Sequence, residues 1–286
     1  MKVTGFSFIK NAVAFHYPIA EALRSILPLC DEVVVAVGDS SDGTRDLVAG
    51  IESNRIRIID TVWDSNLKLG GRVLAAETDK ALAGVAADSD WCIYIQGDEV
   101  MHEDGHEEVM AAMKRWQSAP EVDGLLFNYH HFYGSFDYTA VASSWYKKEI
   151  RVVKNGGGIY SYRDAQGFRR GNNQKLRVKP LDAFIHHYGW VREPAAMQAK
   201  QDNFIGYYHQ HTPVANAGDF NYSGIDALRQ FTGQHPAVMQ AWIDAANWQF
   251  DYDLSYNKTS SKERLKNLLE KLTGRRPFDY ENYKIV

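Results

Sequence analysis

The sequence predicts an α/β fold built on a mixed, mainly parallel, doubly wound sheet, followed by a C-terminal helical extension. Two observations carry this reading. Strand and helix patterns alternate strictly from residue 3 to residue 95, which implies parallel strands joined by right-handed crossovers. Within that stretch, Glu32-Val33-Val34-Val35-Ala36-Val37 is a nearly continuous β-branched run, the pattern of a strand covered on both faces.

Taken in order, residues 3–9 form the first expected strand. Residues 17–27 follow as a helix, with Ile19, Ala22, Leu23 and Ile26 at helical spacing and Pro18 suited to its first turn. The β-branched run is the second strand. Asp42-Gly43-Thr44 opens a second helix through about residue 51, and residues 55–61 are a third strand. An alanine-rich helix over 70–87 precedes a fourth strand at 91–95. After Glu121 the rhythm changes: 124–133 is apolar and aromatic, 149–154 is a short strand, and Gly156-Gly157-Gly158 is a turn. This half reads as antiparallel strands and loops that complete the sheet and cover its carboxyl edge. From about residue 217 the pattern is helical again, ending in 261–272 and a polar tail. The economical division is a catalytic domain over 1–215 and a helical extension over 216–286.

Composition sets the broad class. The chain has 286 residues, 45% hydrophobic and 24% charged, with a net charge of −4. That suits a globular domain with a full core and gives no reason to expect nucleic acid. No apolar run approaches the length of a membrane span, and the N-terminus lacks a signal-like apolar region. Cys30 and Cys92 sit in apolar contexts and read as core residues, so cytoplasm is the expected compartment.

In open α/β sheets ligands bind beyond the carboxyl ends of the parallel strands, and three segments place polar groups there. In Val37-Gly38-Asp39-Ser40-Ser41-Asp42-Gly43-Thr44, Asp39 stands nearest the strand end, while Asp42 suits either a ligand contact or a helix cap. In Gln96-Gly97-Asp98-Glu99, adjacent carboxylates follow an apolar strand. They are suited to a divalent cation over a departing diphosphate or, more blandly, to solvent. Phe184-Ile185-His186-His187-Tyr188-Gly189-Trp190 ends a strand in two histidines. One imidazole is able to complete a metal shell while the other faces the opposite side of the strand, and packing is the alternative for both.

In order and spacing, these segments resemble glycosyltransferase family 2, over roughly residues 3–190. Ile9-Lys10-Asn11 is similar to the family's strand-end lysine–asparagine opening. Asp31 to Val35 running into Ser40-Ser41-Asp42-Gly43-Thr44 resembles its serine-threonine-aspartate-glycine-threonine turn. Asp90-Trp91 through Gln96-Gly97-Asp98-Glu99 resembles its aspartate-rich strand end, and the later histidines also fit. The resemblance implies the Rossmann-like GT-A fold and transfer of a sugar from a nucleoside diphosphate to a glycan or lipid-linked acceptor. It further implies inversion, assistance by Mn²⁺ or Mg²⁺, and a place in polysaccharide biosynthesis. The implied donor contacts are Phe8, Lys10, Asp39, Arg72, Gln96 and Asp98, and the implied metal ligands are Asp98 with His187 or His186. The chain departs from the family pattern in three places: Val37 and Gly38 stand where an aspartate is usual, Gln96 replaces the first aspartate of D-x-D, and Thr78 and Asp79 replace an arginine–asparagine pair.

An inverting transferase needs a carboxylate base on the acceptor side. Asp164, which follows a strand and precedes a loop rich in Arg169, Arg170, Asn172 and Asn173, is the expected base. Glu99 is the other catalytic candidate, Asp137 stands behind them, and an ion pair with Arg163 or Arg169 is the competing role for Asp164. The aromatic segment carrying Tyr129, His131, Tyr133 and Asp137 is an expected acceptor platform on one side and core on the other. The tail helix sets basic residues opposite Leu265, Leu268 and Leu269, which allows at most peripheral contact with anionic lipid. A nucleotidyltransferase is disfavoured because Lys10-Asn11-Ala12-Val13 lacks a glycine-rich basic loop. A non-catalytic nucleotide- or glycan-binding member of the fold is the alternative that Gln96 keeps open.

Overall fold

The computed structural model describes residues 1–67, 69–142, 144–205, 220–222, 225, 227–255, 264–266, 268, 269, 272 and 280–286. Its first half follows the expected alternation: β1 (Val3–Ile9), α1 (Ile19–Ile26), β2 (Glu32–Gly38), α2 (Thr44–Ala49), β3 (Ile56–Thr61), α3 (Arg72–Ala83) and β4 (Trp91–Tyr94). β4, β1, β2 and β3 lie side by side and parallel. β2 is buried along nearly its whole length because both faces are covered. Val33, Val35 and Val37 pack with α1 through Leu23 and Ile26, while Val34 and Ala36 pack with α3 through Val73, Leu74 and Ala81. The periodic apolar residues of α1 are all buried, so hydrophobic burial, not intrinsic propensity, holds this eight-residue helix.

The second half completes a mixed sheet. β5 (Glu99–Met101) leads into α4 (His106–Trp116), then β6 (Gly124–Tyr133), β7 (Tyr138–Ala140) and β8 (Lys148–Lys154). β8 fills the gap between β4 and β6, antiparallel to both. A hairpin of β9 (Ile159–Tyr162) and β10 (Gly167–Arg170), extended by β11 (Gln174–Lys175), forms a small second sheet. β12 (Arg177–Trp190) runs parallel to β6 and antiparallel to β5, with register shifts between Pro180 and Phe184 and between His187 and Trp190. It is followed by α5 (Pro194–Ile205), β13 (Leu228–Gln230), α6 (Gln240–Asp244) and β14 (Lys284–Ile285).

Three stretches differ from the periodicity reading. Residues 106–116 and 194–205 are helical without having been anticipated. Residues 228–230, inside the stretch expected to be helical, pair antiparallel with β7, where an open strand edge supplies partners that local propensity does not. Residues 264–266, 268, 269 and 272 are helical, whereas the rest of 261–272 and the division at 215/216 lie outside the described residues. Cys30 and Cys92 are free and buried. No helix among the described residues is long and apolar enough to cross a membrane.

Candidate active site at the carboxyl edge of the sheet

β1 and β2 end side by side, and their polar ends meet. Lys10 Nζ lies 2.6 Å from Asp39 Oδ1 and 5.6 Å from the centre of the Trp63 ring. Asp39 also accepts the backbone N–H of Trp63 at 3.3 Å, and Phe8 packs its ring 5.9 Å from that indole. The hydrogen bond from Lys10 holds the Asp39 carboxyl below its ordinary pKa. Asp42 takes the capping role: it accepts from Thr44 N and Oγ1, and from the N–H of Ala14 at 2.7 Å, which ties the loop after β1 to the start of α2.

The turn between β4 and β5 distributes its polar residues differently. Gln96 Nε2 donates to the carbonyl of Ala165 at 2.9 Å and to Tyr94 Oη at 3.2 Å. Glu99 is fully buried and accepts two N–H bonds from Arg151, each 2.7 Å long, plus the Tyr129 hydroxyl at 2.9 Å. Glu99 therefore anchors the turn from beneath. Asp98 instead faces outward to the edge. Its Oδ2 lies 3.1 Å from Lys200 Nζ and 3.8 Å from His187 Nε2, and its side chain is 13% exposed.

The hydrogen bonds around His187 identify its tautomer. His131 Nε2 lies 2.7 Å from the Tyr146 carbonyl, which only accepts, so that nitrogen carries the proton. Burial holds the His131 pKa well below normal, so the ring is neutral and its Nδ1 is bare. His131 Nδ1 is 3.0 Å from His187 Nδ1, which must then be the donor. Burial also lowers the His187 pKa. The neutral ring presents an unprotonated Nε2 toward Asp98. Gly189 keeps this space open, since a Cβ there would lie 2.5 Å from His187 Nε2 and 2.9 Å from Asp98 Oδ2.

His186 points the other way, as alternation along β12 requires. It sits among His102, His130 and His235, with its Nδ1 3.3 Å from the Tyr188 hydroxyl. Of the two expected histidine ligands, only His187 faces Asp98. No group of three or more His, Cys, Asp or Glu residues shaped for a metal occurs among the described residues. The pair Asp98 and His187 nevertheless fits one edge of a cation shell. An imidazole whose other nitrogen is hydrogen-bonded is the usual metal-binding form, and Mg²⁺ commonly takes one or two protein ligands plus phosphate oxygens and water.

Two cations complete the cluster, and neither was anticipated. Lys200, on α5, is 7% exposed and donates to Asp98 and to the Gly189 carbonyl at 2.8 Å. Arg192, 2% exposed, donates to the carbonyls of Phe15, Tyr188 and Gly189. Its Nη2 meets no acceptor among the described residues. Both cations lie over Tyr17, at 5.0 Å for Arg192 and 4.8 Å for Lys200. Burial, reinforced by Arg192, lowers the Lys200 pKa to about 7, while Asp98 opposes the shift. Burial alone would raise the Asp98 pKa. The cations Lys200 and Arg192 outweigh it and hold the carboxyl ionised.

Asp164 and Arg72 share a cleft of about 910 Å³, lined also by Leu67, Tyr160, Tyr162 and Asn173. Asp164 rides on the β9–β10 turn between Arg163 and Ala165, both left-handed (φ 58° and 64°). The Ala165 carbonyl on Gln96 joins this turn to the β4–β5 segment, and Asp79 accepts the Ser161 N–H at 2.7 Å, joining it to α3. Of the expected acceptor residues, Asp137 is exposed, whereas Tyr129, His131 and Tyr133 are buried. Tyr129 and His131 thus act below the surface, through Glu99 and His187. Tyr133 donates to the Tyr222 carbonyl at 3.3 Å. A larger recess of about 1100 Å³ lies by the amino ends of β2 and β3, at Asp31, Glu32 and Arg55, and contains none of the expected residues.

No protein-family model matches this chain, and no curated protein matches it. Among solved structures, it is similar to S. aureus TarS 1–349 in complex with UDP, at 14% identity and a TM-score of 0.41, over 72% of this chain and 65% of that one. For a second TarS structure the values are 14% and 0.40, over 71% of this chain and 39% of that one. Glucosyl-3-phosphoglycerate synthase from Mycobacterium tuberculosis, in complex with Mn²⁺, UDP and phosphoglyceric acid, is similar at 16% identity and a TM-score of 0.30, over 46% of this chain and 43% of that one. The chain thus spans less than two thirds of the length of each of these structures.

Proposed function

We propose that this chain is an inverting glycosyltransferase that moves a sugar from a nucleoside diphosphate to a hydroxyl of a glycan or lipid-linked acceptor. The observation that carries this reading is the pairing of Asp98 Oδ2 with an unprotonated His187 Nε2, 3.8 Å apart at the carboxyl edge of the sheet. This pair lies at the edge where Lys10 and Asp39 close the ends of β1 and β2, the place where such sheets take nucleotides. The nucleoside lies beside Phe8, Asp39 and Arg72, and the diphosphate extends toward Asp98. Asp98 and His187 would hold a divalent cation, Mn²⁺ or Mg²⁺, which would supply positive charge to the departing diphosphate.

The chain's own residues supply the rest. Asp164 takes the proton of the acceptor hydroxyl. The acceptor oxygen bonds to the anomeric carbon as the bond from that carbon to the β-phosphate oxygen breaks, and the electron pair leaves with the diphosphate. Arg72, in the same cleft as Asp164, orients the donor across it. Exposed Asp137, in the turn between β6 and β7, is the acceptor contact, and the domain division at 215/216 belongs to the same proposal.

Calorimetric titration with uridine and guanosine diphosphates, followed by assay of donor-sugar release, tests the assignment. Micromolar binding with slow release of sugar is expected. Absence of binding by any nucleoside diphosphate, with and without Mn²⁺, overturns it. A second reading, a donor- or glycan-binding protein without turnover, is favoured by the engagement of Gln96 with Ala165 and of Glu99 with Arg151. Binding without any sugar release selects it.

A further inference from the structure

The Asp98–His187 mouth already contains a cation, and that cation belongs to the protein. Lys200 Nζ lies 3.1 Å from the Asp98 Oδ2 that is turned toward His187. An ammonium and a divalent ion cannot share one carboxylate oxygen in so confined a space, because like charges a few ångströms apart and away from water repel strongly. Lys200 lacks an alternative acidic partner among the described ion pairs, its second acceptor being the neutral Gly189 carbonyl. Arg192 adds a second buried positive charge whose Nη2 meets no acceptor among the described residues. Among the described residues Asp98 is the one carboxylate set against Lys200 and Arg192, since Glu99 is paired with Arg151 and His187 is neutral, and the cluster carries an excess of positive charge. That is a poor place for a lone divalent ion and a good one for a diphosphate.

Resting on the nucleotide-sugar reading, we propose that Lys200 is a resident gate on the metal position: it occupies Asp98 until a diphosphate arrives, then joins Arg192 on the phosphate oxygens and releases Asp98 and His187 to the divalent ion. Metal and donor then enter together. The ion without a diphosphate is rejected, and the diphosphate finds both cations waiting. Arg192 Nη2, held by the other bonds of its guanidinium, is already positioned to receive an oxygen. Tyr17, against which both cations lie, gives them an apolar face to slide on without exposing it. The role of Lys200 is one of positioning and selection; it forms no bond to the transferred sugar.

The test is Mn²⁺ binding to the whole protein, read from the electron-paramagnetic signal of free Mn²⁺, in the absence of nucleotide. The wild type should bind Mn²⁺ in the millimolar range. Lys200→Met should bind at least tenfold more tightly, and Lys200→Met combined with Asp98→Asn should lose that gain. Lys200→Arg, which keeps the charge, should behave as the wild type and controls for disturbance of α5. In EDTA, inorganic pyrophosphate should bind the wild type and bind Lys200→Met and Arg192→Met at least tenfold more weakly. Equal Mn²⁺ affinity in the wild type and Lys200→Met overturns the gate, as does pyrophosphate binding that neither Met variant changes. These outcomes are independent of the nucleoside: a gate that behaves as stated in a protein that binds no nucleoside diphosphate overturns the transferase reading alone.

Discussion

Arg151 grips Glu99 with both prongs of its guanidinium, at 2.7 Å each, and neither side chain touches solvent. The pair ties the turn that carries Asp98 to β8, and the rings of Tyr94 and Tyr129 flank the guanidinium. Removing one partner strands a buried charge, so Glu99→Gln should cost about 3–5 kcal/mol of stability. Combining it with Arg151→Met should restore part of that loss. Chemical denaturation of the three variants checks this, and activity losses in Glu99→Gln should follow the folded fraction. Loss of turnover in a fully stable Glu99→Gln protein would return Glu99 to catalysis.

Asp39 offers the converse case. Its ion pair with Lys10 is half exposed, and such surface pairs contribute only about 0–1 kcal/mol. Asp39→Ala should leave the melting temperature within a few degrees of wild type yet weaken nucleoside-diphosphate binding about tenfold or more. Pyrophosphate binding should be unchanged, because Asp39 lies at the nucleoside end. Calorimetry with both ligands separates the two ends of the donor.

Asp164, placed on the acceptor side, should matter to the chemical step more than to donor binding. Asp164→Asn should lower kcat by roughly two to four orders of magnitude, the usual worth of general-base catalysis, with donor affinity nearly unchanged. Single-turnover kinetics at saturating donor measures this. Wild-type turnover in the variant would move the base to Asp137.

Burial pushes the Glu149 carboxyl up to about 7 against the opposing influence of Arg151, the Ile150 N–H, Asn282 and Arg169. A group whose pKa is raised on folding stabilises fully below its unfolded value, here 4.5, and loses that contribution as pH rises through the folded value. The loss should amount to about 3 kcal/mol between pH 4.5 and pH 8. Glu149→Gln, which keeps the shape without the charge, should melt higher than wild type at pH 8 and close to it at pH 5. Thermal melts across that range check the sign.

The parallel half of the sheet was legible because its inner strands bury both faces, and burial on both faces leaves a nearly continuous β-branched run such as 33–37. The carboxyl edge was marked by the polar residues that end such runs, Asp39 after β2 and Gln96 to Glu99 after β4, although Gln96 and Glu99 turn out to serve the packing of the turn. What escaped is harder to see in one dimension. In α5 the side chains of Met197 and Lys200 are buried, so part of what the helix hides is a charge, and hydrophobic periodicity cannot register it. β12 was visible only over 184–190, because Pro180 and Asp182 and a register shift break the alternation before Phe184. Arg151 did leave a signal, a single cation inside the apolar run Ile150-Arg151-Val152-Val153, which implies a buried partner. The histidine pair was legible as two opposed faces, but the face meeting Asp98 depends on pairing with β5 and β6.

The contact between Asn282 and Arg169, which also brings Asn282 against Glu149, joins positions 113 residues apart. During synthesis at about 5–20 residues per second, β10 therefore leaves the ribosome roughly 6–23 s before its buried arginine can meet its partner. For that interval the nascent chain carries a completed parallel half beside an unfinished flank, with the guanidinium of Arg169 and the carboxyl of Glu149 open to water. The late strand β14, pairing with β12, then acts as a latch whose closure marks the end of translation of this segment. Ribosome stalling between residues 200 and 280 should accordingly yield a protease-sensitive intermediate cut near β9–β11, while β1 to β4 resist.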